Sequence, residues 1–127
     1  MLIEHVAIWS TNIENSKDFY IKYFGAISNK KYISKNNIGF ESYFLSFEDG
    51  SRLEIMQHPN ITQKNNSDMI GFAHIAFILK SKEEVDLLCK KFEEDNIQII
   101  SYPRITGDGY YEACILDLYG NKIEIVA

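Results

Sequence analysis

Apolar and polar positions along the chain follow two periods, and the order in which they alternate occurs twice. Residues 3–9 are an apolar run bounded by Thr11 and Asn12, which predicts a strand followed by a helix cap. From there to about Phe24 the aromatic residues Phe19, Tyr20, Tyr23 and Phe24 recur at spacings of three and four, placing them on one helix face, with Gly25 as the stop. Three strands are predicted next, over 29–33, 39–47 and 52–57, the last two joined by a turn at Glu48, Asp49, Gly50 and Ser51. The second half repeats this: a strand over 72–79, a helix over 82–94 with Val85, Leu88, Cys89 and Phe92 on one face, and strands over 97–101, 110–118 and 122–126. Its final turn is Leu118, Tyr119, Gly120 and Asn121.

Overlaid, the halves place Gly39 on Gly109 and Gly50 on Gly120. A polar stretch between them, holding Pro59, Asn65, Asn66, Ser67 and Asp68, has the composition of a loop. The expectation is a single domain of class α+β built from tandem βαβββ units, 1–58 and 72–127, joined by a linker over 59–71. Each unit presents a curled mixed sheet with one face on its helix and the other open, so that two units side by side enclose a cleft.

The overlay also aligns chemistry. His5 meets His74, each early in its opening strand, and Glu54 meets Glu124, 49 and 50 residues further on. Leu53 and Ile55 flank the first glutamate, Ile123 and Ile125 the second. Because a strand alternates faces, both carboxylates point away from the apolar side that packs on the helix. A single histidine in an apolar strand is commonly a hydrogen-bonded core residue, and a single strand glutamate is commonly solvated. Four such residues at matched positions are different, because two carboxylates brought together among apolar neighbours need compensation that a cation supplies. The N₂O₂ set of His5, Glu54, His74 and Glu124 suits one divalent ion such as Ni, Co, Zn or Mn, with room for a chelating substrate.

Composition narrows the partners. A net charge of −5 with Lys and Arg scattered among Asp and Glu leaves no basic stripe, which excludes nucleic acid as the expected ligand. No run is apolar enough for a membrane span, and the first five residues lack the basic, then apolar, character of a signal peptide, so a soluble cytoplasmic protein is expected. Cys89 and Cys114 are then expected as buried free thiols.

The tandem βαβββ order, the paired His/Glu positions and the ending Leu118, Tyr119, Gly120, Asn121, Lys122, Ile123, Glu124 resemble the glyoxalase I, bleomycin-resistance and extradiol-dioxygenase superfamily, over essentially the whole chain. Within it, the His/Glu/His/Glu set is similar to glyoxalase I. Branches with two histidines and one glutamate, with Gln at the second position, or without ligands differ from this chain at Glu54. The resemblance implies a lyase that isomerises the hemithioacetal of a 2-oxoaldehyde and a thiol to an S-2-hydroxyacyl thioester, as in methylglyoxal detoxification. It further implies a homodimer and, from the short chain, the nickel or cobalt type. Glu124 is the favoured proton-transferring base, with Glu54 as the other candidate.

Two positions depart from the glutathione-using members. Trp9 stands where they carry an arginine that anchors the tripeptide, and His58 stands where an asparagine is typical. Trp9, Met56 and His58 are expected to share the ligands' face and make an apolar, aromatic cleft. Arg104 and Tyr111, near the Gly107/Gly109 loop, are further candidate substrate contacts. The alternatives to a lyase are an epimerase or dioxygenase of the same chelate chemistry, or a drug-sequestering resistance protein.

Overall fold

The computed structural model describes residues 1–64 and 69–127; Asn65, Asn66, Ser67 and Asp68 of the expected linker lie outside the described residues. The chain divides into two compact units, Met1–Gln63 and Lys64–Ala127.

In the first unit β1 (Val6–Trp9) leads into helix α1 (Ile13–Phe24), then β2 (Ile27–Ser28), β3 (Tyr32–Ile33), β4 (Glu41–Ser46) and β5 (Arg52–Gln57). The helix starts where expected: the Asn12 side chain accepts the Asn15 N–H, and Gly25, left-handed at φ 65°, ends it. Ile13, Ser16, Phe19 and Tyr20 are its buried stripe, with Tyr23 and Phe24 clustered on Phe19 at ring separations of 5.0 and 6.1 Å. The sheet runs β1-β5-β4-β2, with β3 also on β4; β1 is parallel to β5 and the other pairs are antiparallel. Leu45, Leu53 and Ile55 complete the core against α1, each burial stabilising by about 1.5–3 kcal/mol.

The strand expected over 29–33 is instead two short pieces. Asn29 occupies both hydrogen-bonding groups of Phe44, its N–H donating to the Phe44 carbonyl at 3.0 Å and its Oδ1 accepting the Phe44 N–H at 2.8 Å. Five residues, from Ser28 to Tyr32, therefore span what β4 covers in four, from Leu45 to Ser42, and the extra residue breaks the ladder. Glu14 ties α1 to the sheet. Its carboxylate takes Lys31 Nζ at 2.6 Å, Lys17 Nζ at 2.9 Å and the Tyr43 hydroxyl at 2.9 Å.

The second unit repeats the order with β6 (His74–Ile78), α2 (Lys82–Glu94), β7 (Ile99–Ile105), β8 (Tyr111–Leu116) and β9 (Lys122–Val126), in sheet order β6-β9-β8-β7. Ser81 caps α2 by accepting the Glu84 N–H, and Val85, Cys89 and Phe92 are its buried stripe over Ala113, Ile115, Ile123 and Ile125. β7 runs four residues beyond the expected 97–101, with register shifts between Ile99 and Arg104 that accommodate Pro103, which has no N–H to give the ladder.

The two final turns match in detail. Gly50 and Gly120 hold φ of 86° and 89°, a region that glycine enters without steric cost. Phe47 and Ser51 close the first turn, Asp117 and Asn121 the second. The fold is thus α+β, with two mixed sheets, neither of them closed. No described helix is long and apolar enough to cross a membrane.

Candidate metal centre

Register places the first pair. β1 lies parallel to β5 with Val6 beside Leu53, Ala7 beside Glu54 and Trp9 beside Met56. Leu53 and Ile55 are buried under α1, so Glu54 emerges on the opposite face, as do Ala7 and, two residues earlier, His5. His5 Nε2 stands 3.7 Å from Glu54 Oε2, and the Glu54 side chain is only 15% exposed.

The other ring nitrogen of His5 is also held. Nδ1–H donates to the Glu4 carboxylate, which in turn accepts from Arg52 at the start of β5. The His5 contact, with Arg52 beside it, keeps the Glu4 carboxyl below the usual range. With Nδ1 engaged by Glu4, Nε2 is left facing Glu54, the arrangement in which a carboxylate orients a ligating imidazole. The imidazole meets Phe44 edge-on at 5.1 Å, and the Arg52 guanidinium lies over the same ring at 4.4 Å.

The second unit reproduces the pair. β6 lies parallel to β9 with Ile75 beside Ile123 and Ala76 beside Glu124. His74 Nε2 is 3.2 Å from Glu124 Oε2, whose side chain is 22% exposed. Ala73 precedes His74, so no carboxylate stands where Glu4 stands in the first unit. Cys114, opposite Glu124 on β8, shares its face; burial, reinforced by the Glu124 charge, raises its pKa and keeps it a thiol. Cys89 is buried and Cys114 half-buried, and both are free.

The donor chemistry fits a small divalent cation. Two ligand atoms about 2.1 Å from one ion are about 3.0 Å apart at a right angle and about 3.4 Å apart at a tetrahedral one. The separations of 3.2 and 3.7 Å lie close to that range. Among the described residues no group of three or more His, Cys, Asp or Glu is placed so that it could hold a metal ion; the candidate ligands come as one pair per unit.

The other candidates separate. Trp9 and Met56 are neighbours on the Glu54 face, with the Trp9 ring edge-on to Phe40 at 6.1 Å. His58 lies beyond the end of β5, where its Nδ1 accepts the Asn60 N–H at 3.2 Å. It lines a cavity of about 380 Å³ together with Thr11, Glu41 and Gln57. Arg104 is exposed on β7, opposite Glu112, and its Nε donates to Ser101 Oγ. Tyr111 is not brought to the Glu124 face. It shares its parity along β8 with the buried Ala113 and Ile115, and its hydroxyl donates to Asp86 Oδ1 on α2 at 2.6 Å. Sequence reasoning missed Glu4, Arg52 and Phe44 around His5; the signal for Arg52 and Phe44 was their parity with Glu54 once the strands were paired.

A family model described as Glyoxalase/Bleomycin resistance protein/Dioxygenase superfamily matches residues 2–125. Similar solved structures include a glyoxylase/bleomycin resistance protein/dioxygenase domain from Frankia sp. EAN1pec, 11% identical with TM-score 0.85 over 99% of this chain and 96% of that one. A glyoxalase family protein from Enterococcus faecalis is 22% identical with TM-score 0.81 over 99% and 97%. Glyoxalase I from Zea mays is 17% identical with TM-score 0.80 over 98% of this chain and 43% of that one. No curated protein sequence matches the chain.

Proposed function

Because the chain belongs to the glyoxalase/bleomycin resistance protein/dioxygenase superfamily, we propose that it is a metal-dependent glyoxalase I-like lyase in which His5, Glu54, His74 and Glu124 hold one divalent ion. The observation that carries this reading is the pairing of a histidine Nε2 with a glutamate Oε2 at the same sheet position in both units, at 3.7 and 3.2 Å. Nickel or cobalt is preferred over zinc or manganese, and the working form is a cytoplasmic homodimer.

A bound divalent ion supplies Lewis-acid polarisation of the two neighbouring oxygens of a 2-oxoaldehyde–thiol hemithioacetal. The chain's own task is then to move one proton. A glutamate carboxylate takes the proton from the carbon that bears hydroxyl and sulfur and returns it to the adjacent former carbonyl carbon. The hemithioacetal hydroxyl loses its proton as the neighbouring oxygen gains one, so the product is the S-2-hydroxyacyl thioester with no change in composition. Glu124 is assigned this role and Glu54 the role of the retained ligand. Glu4 positions His5 through Nδ1.

Metal content by mass spectrometry on protein purified without an affinity tag tests the reading. About one Ni, Co, Zn or Mn per chain, lost in a His5→Ala, Glu124→Ala double variant, with turnover of a methylglyoxal hemithioacetal, is the expected result. A chain that takes up no metal on reconstitution overturns it. An iron requirement with oxygen uptake would move the chain to the dioxygenases of the same superfamily. Tight drug binding unaffected by chelators would move it to the sequestering proteins.

A further inference from the structure

The face of the first sheet that carries Glu54 is built from rings. Trp9 lies beside Met56 on β1 and β5, Phe44 lies opposite Glu54, and Tyr32 and Met56 both lie opposite Ser42. Phe40, two residues before Ser42, meets Trp9 edge-on at 6.1 Å and Tyr32 at 6.3 Å, the latter at 64° between planes. Trp9 remains 42% and Tyr32 53% exposed. Each edge-on contact joins the rim of one ring to one face of its partner, and the exposed parts of Trp9 and Tyr32 leave ring surface for a further aromatic group. Ala7, the neighbour of Glu54 on β1, adds only a methyl group to the space between them.

Charge on this face selects the occupant. Among the described residues, Arg52 alternates onto it, and this cation is bound to the Glu4 carboxylate and laid over Phe44. Lys17 and Lys31 are engaged with Glu14, beside Tyr43. A ligand arm bearing carboxylates therefore meets an Arg52 already paired with Glu4, together with the carboxylate of Glu54. A neutral aromatic ring meets Trp9, Tyr32 and Phe40.

We propose that this face seats a neutral aromatic ring of the substrate, against the exposed ring surface of Trp9 and Tyr32, so that the thiol or oxoaldehyde taken by the chain is aromatic and uncharged rather than a carboxylate-bearing peptide. The proposal rests on the metal-dependent reading above, because the ring is seated next to the His5 and Glu54 pair. It makes Trp9, Phe40 and Tyr32 specificity determinants.

Two titrations of the full chain test it. In the nickel-loaded protein, calorimetry compares benzohydroxamate with acetohydroxamate, which share one chelating head and differ by the ring. Benzohydroxamate is expected to bind about tenfold tighter, equivalent to ~1.4 kcal/mol, with the ratio falling towards one in Trp9→Ala and kept in Trp9→Phe. In the metal-free protein, naphthalene-2-methanol, a ring without a chelating head, is followed through the indole N–H cross-peak of the sole tryptophan. Saturable movement of that peak supports the seat even if the chain binds no metal, a result that removes the lyase reading alone. A hydroxamate ratio near one with an unmoved indole peak overturns the aromatic seat while leaving metal uptake intact. An indole peak that moves with protein concentration and not with the ring overturns it too, since a second copy of the chain then covers the face.

Discussion

The Glu4 carboxylate accepts the Nδ1–H of His5 and so leaves Nε2 facing Glu54. A ligating imidazole whose remote nitrogen is bonded to a carboxylate is more basic and less free to rotate than one without it. Glu4→Ala is therefore expected to weaken metal affinity by about 10–100-fold in competition with a chromogenic chelator. Glu4 is itself exposed, so the thermal midpoint should move little. An unchanged affinity would mean that Glu4 does not orient the ligand.

The roles proposed for the two glutamates are ones that kinetics separates. With Glu124 as the base, Glu124→Gln keeps a polar group of the same shape opposite His74 and removes the proton acceptor, and kcat should fall by at least about 100-fold. Glu54→Gln should lose metal first and recover much of its turnover at raised metal concentration. The reverse pattern, with rescue of Glu124→Gln by metal and none of Glu54→Gln, would exchange the two roles.

Most of this frame was legible because each half states it independently. The parallel pairings that put Ala7 beside Glu54 and Ala76 beside Glu124 follow from the same spacing in both halves, and the glycines of the final turns align in sequence as they do in φ. Parity along a strand then assigned both glutamates to the face away from the helix. What the sequence hid were contacts made by side chains on neighbouring segments. Arg52 reaches Glu4, 48 residues earlier in the chain, and Asn29 substitutes its amide for a ladder partner, neither of which leaves a periodic trace. Tyr111 is a different case: its parity with Ala113 and Ile115 was readable, but placing it with the Gly107/Gly109 loop set that parity aside.

That placement gives Tyr111 a structural task. Its hydroxyl is bonded to Asp86 on α2, and this partner keeps its pKa raised. Tyr111→Phe removes one hydrogen bond and should cost about 0.5–1.5 kcal/mol of stability by denaturant unfolding, with kcat/KM for the hemithioacetal unchanged within about twofold. A large loss of activity at unchanged stability would return Tyr111 to the substrate.

Glu14 gives the first unit a pH-sensitive tie between α1 and the sheet. The Lys31 ammonium first, then Lys17, with the Tyr43 hydroxyl as a further donor, hold its carboxyl down at about 2 from an ordinary value of 4.5. A carboxyl depressed on folding stabilises the native state fully above its unfolded pKa and loses that contribution as the pH falls through its folded one. The window for Glu14 therefore runs from about 4.5 down to about 2. Because its side chain is 43% exposed, solvent screens the pairs and the contribution is that of a surface network rather than of the full shift. Glu14→Gln should lower the thermal midpoint by about 3–6 °C at neutral pH. The gap to the wild type should narrow as the pH is taken down through the window, and shrink again in about 1 M salt. A gap that is the same at pH 7 and at pH 2 would mean that the carboxylate charge is not what ties α1 to β4.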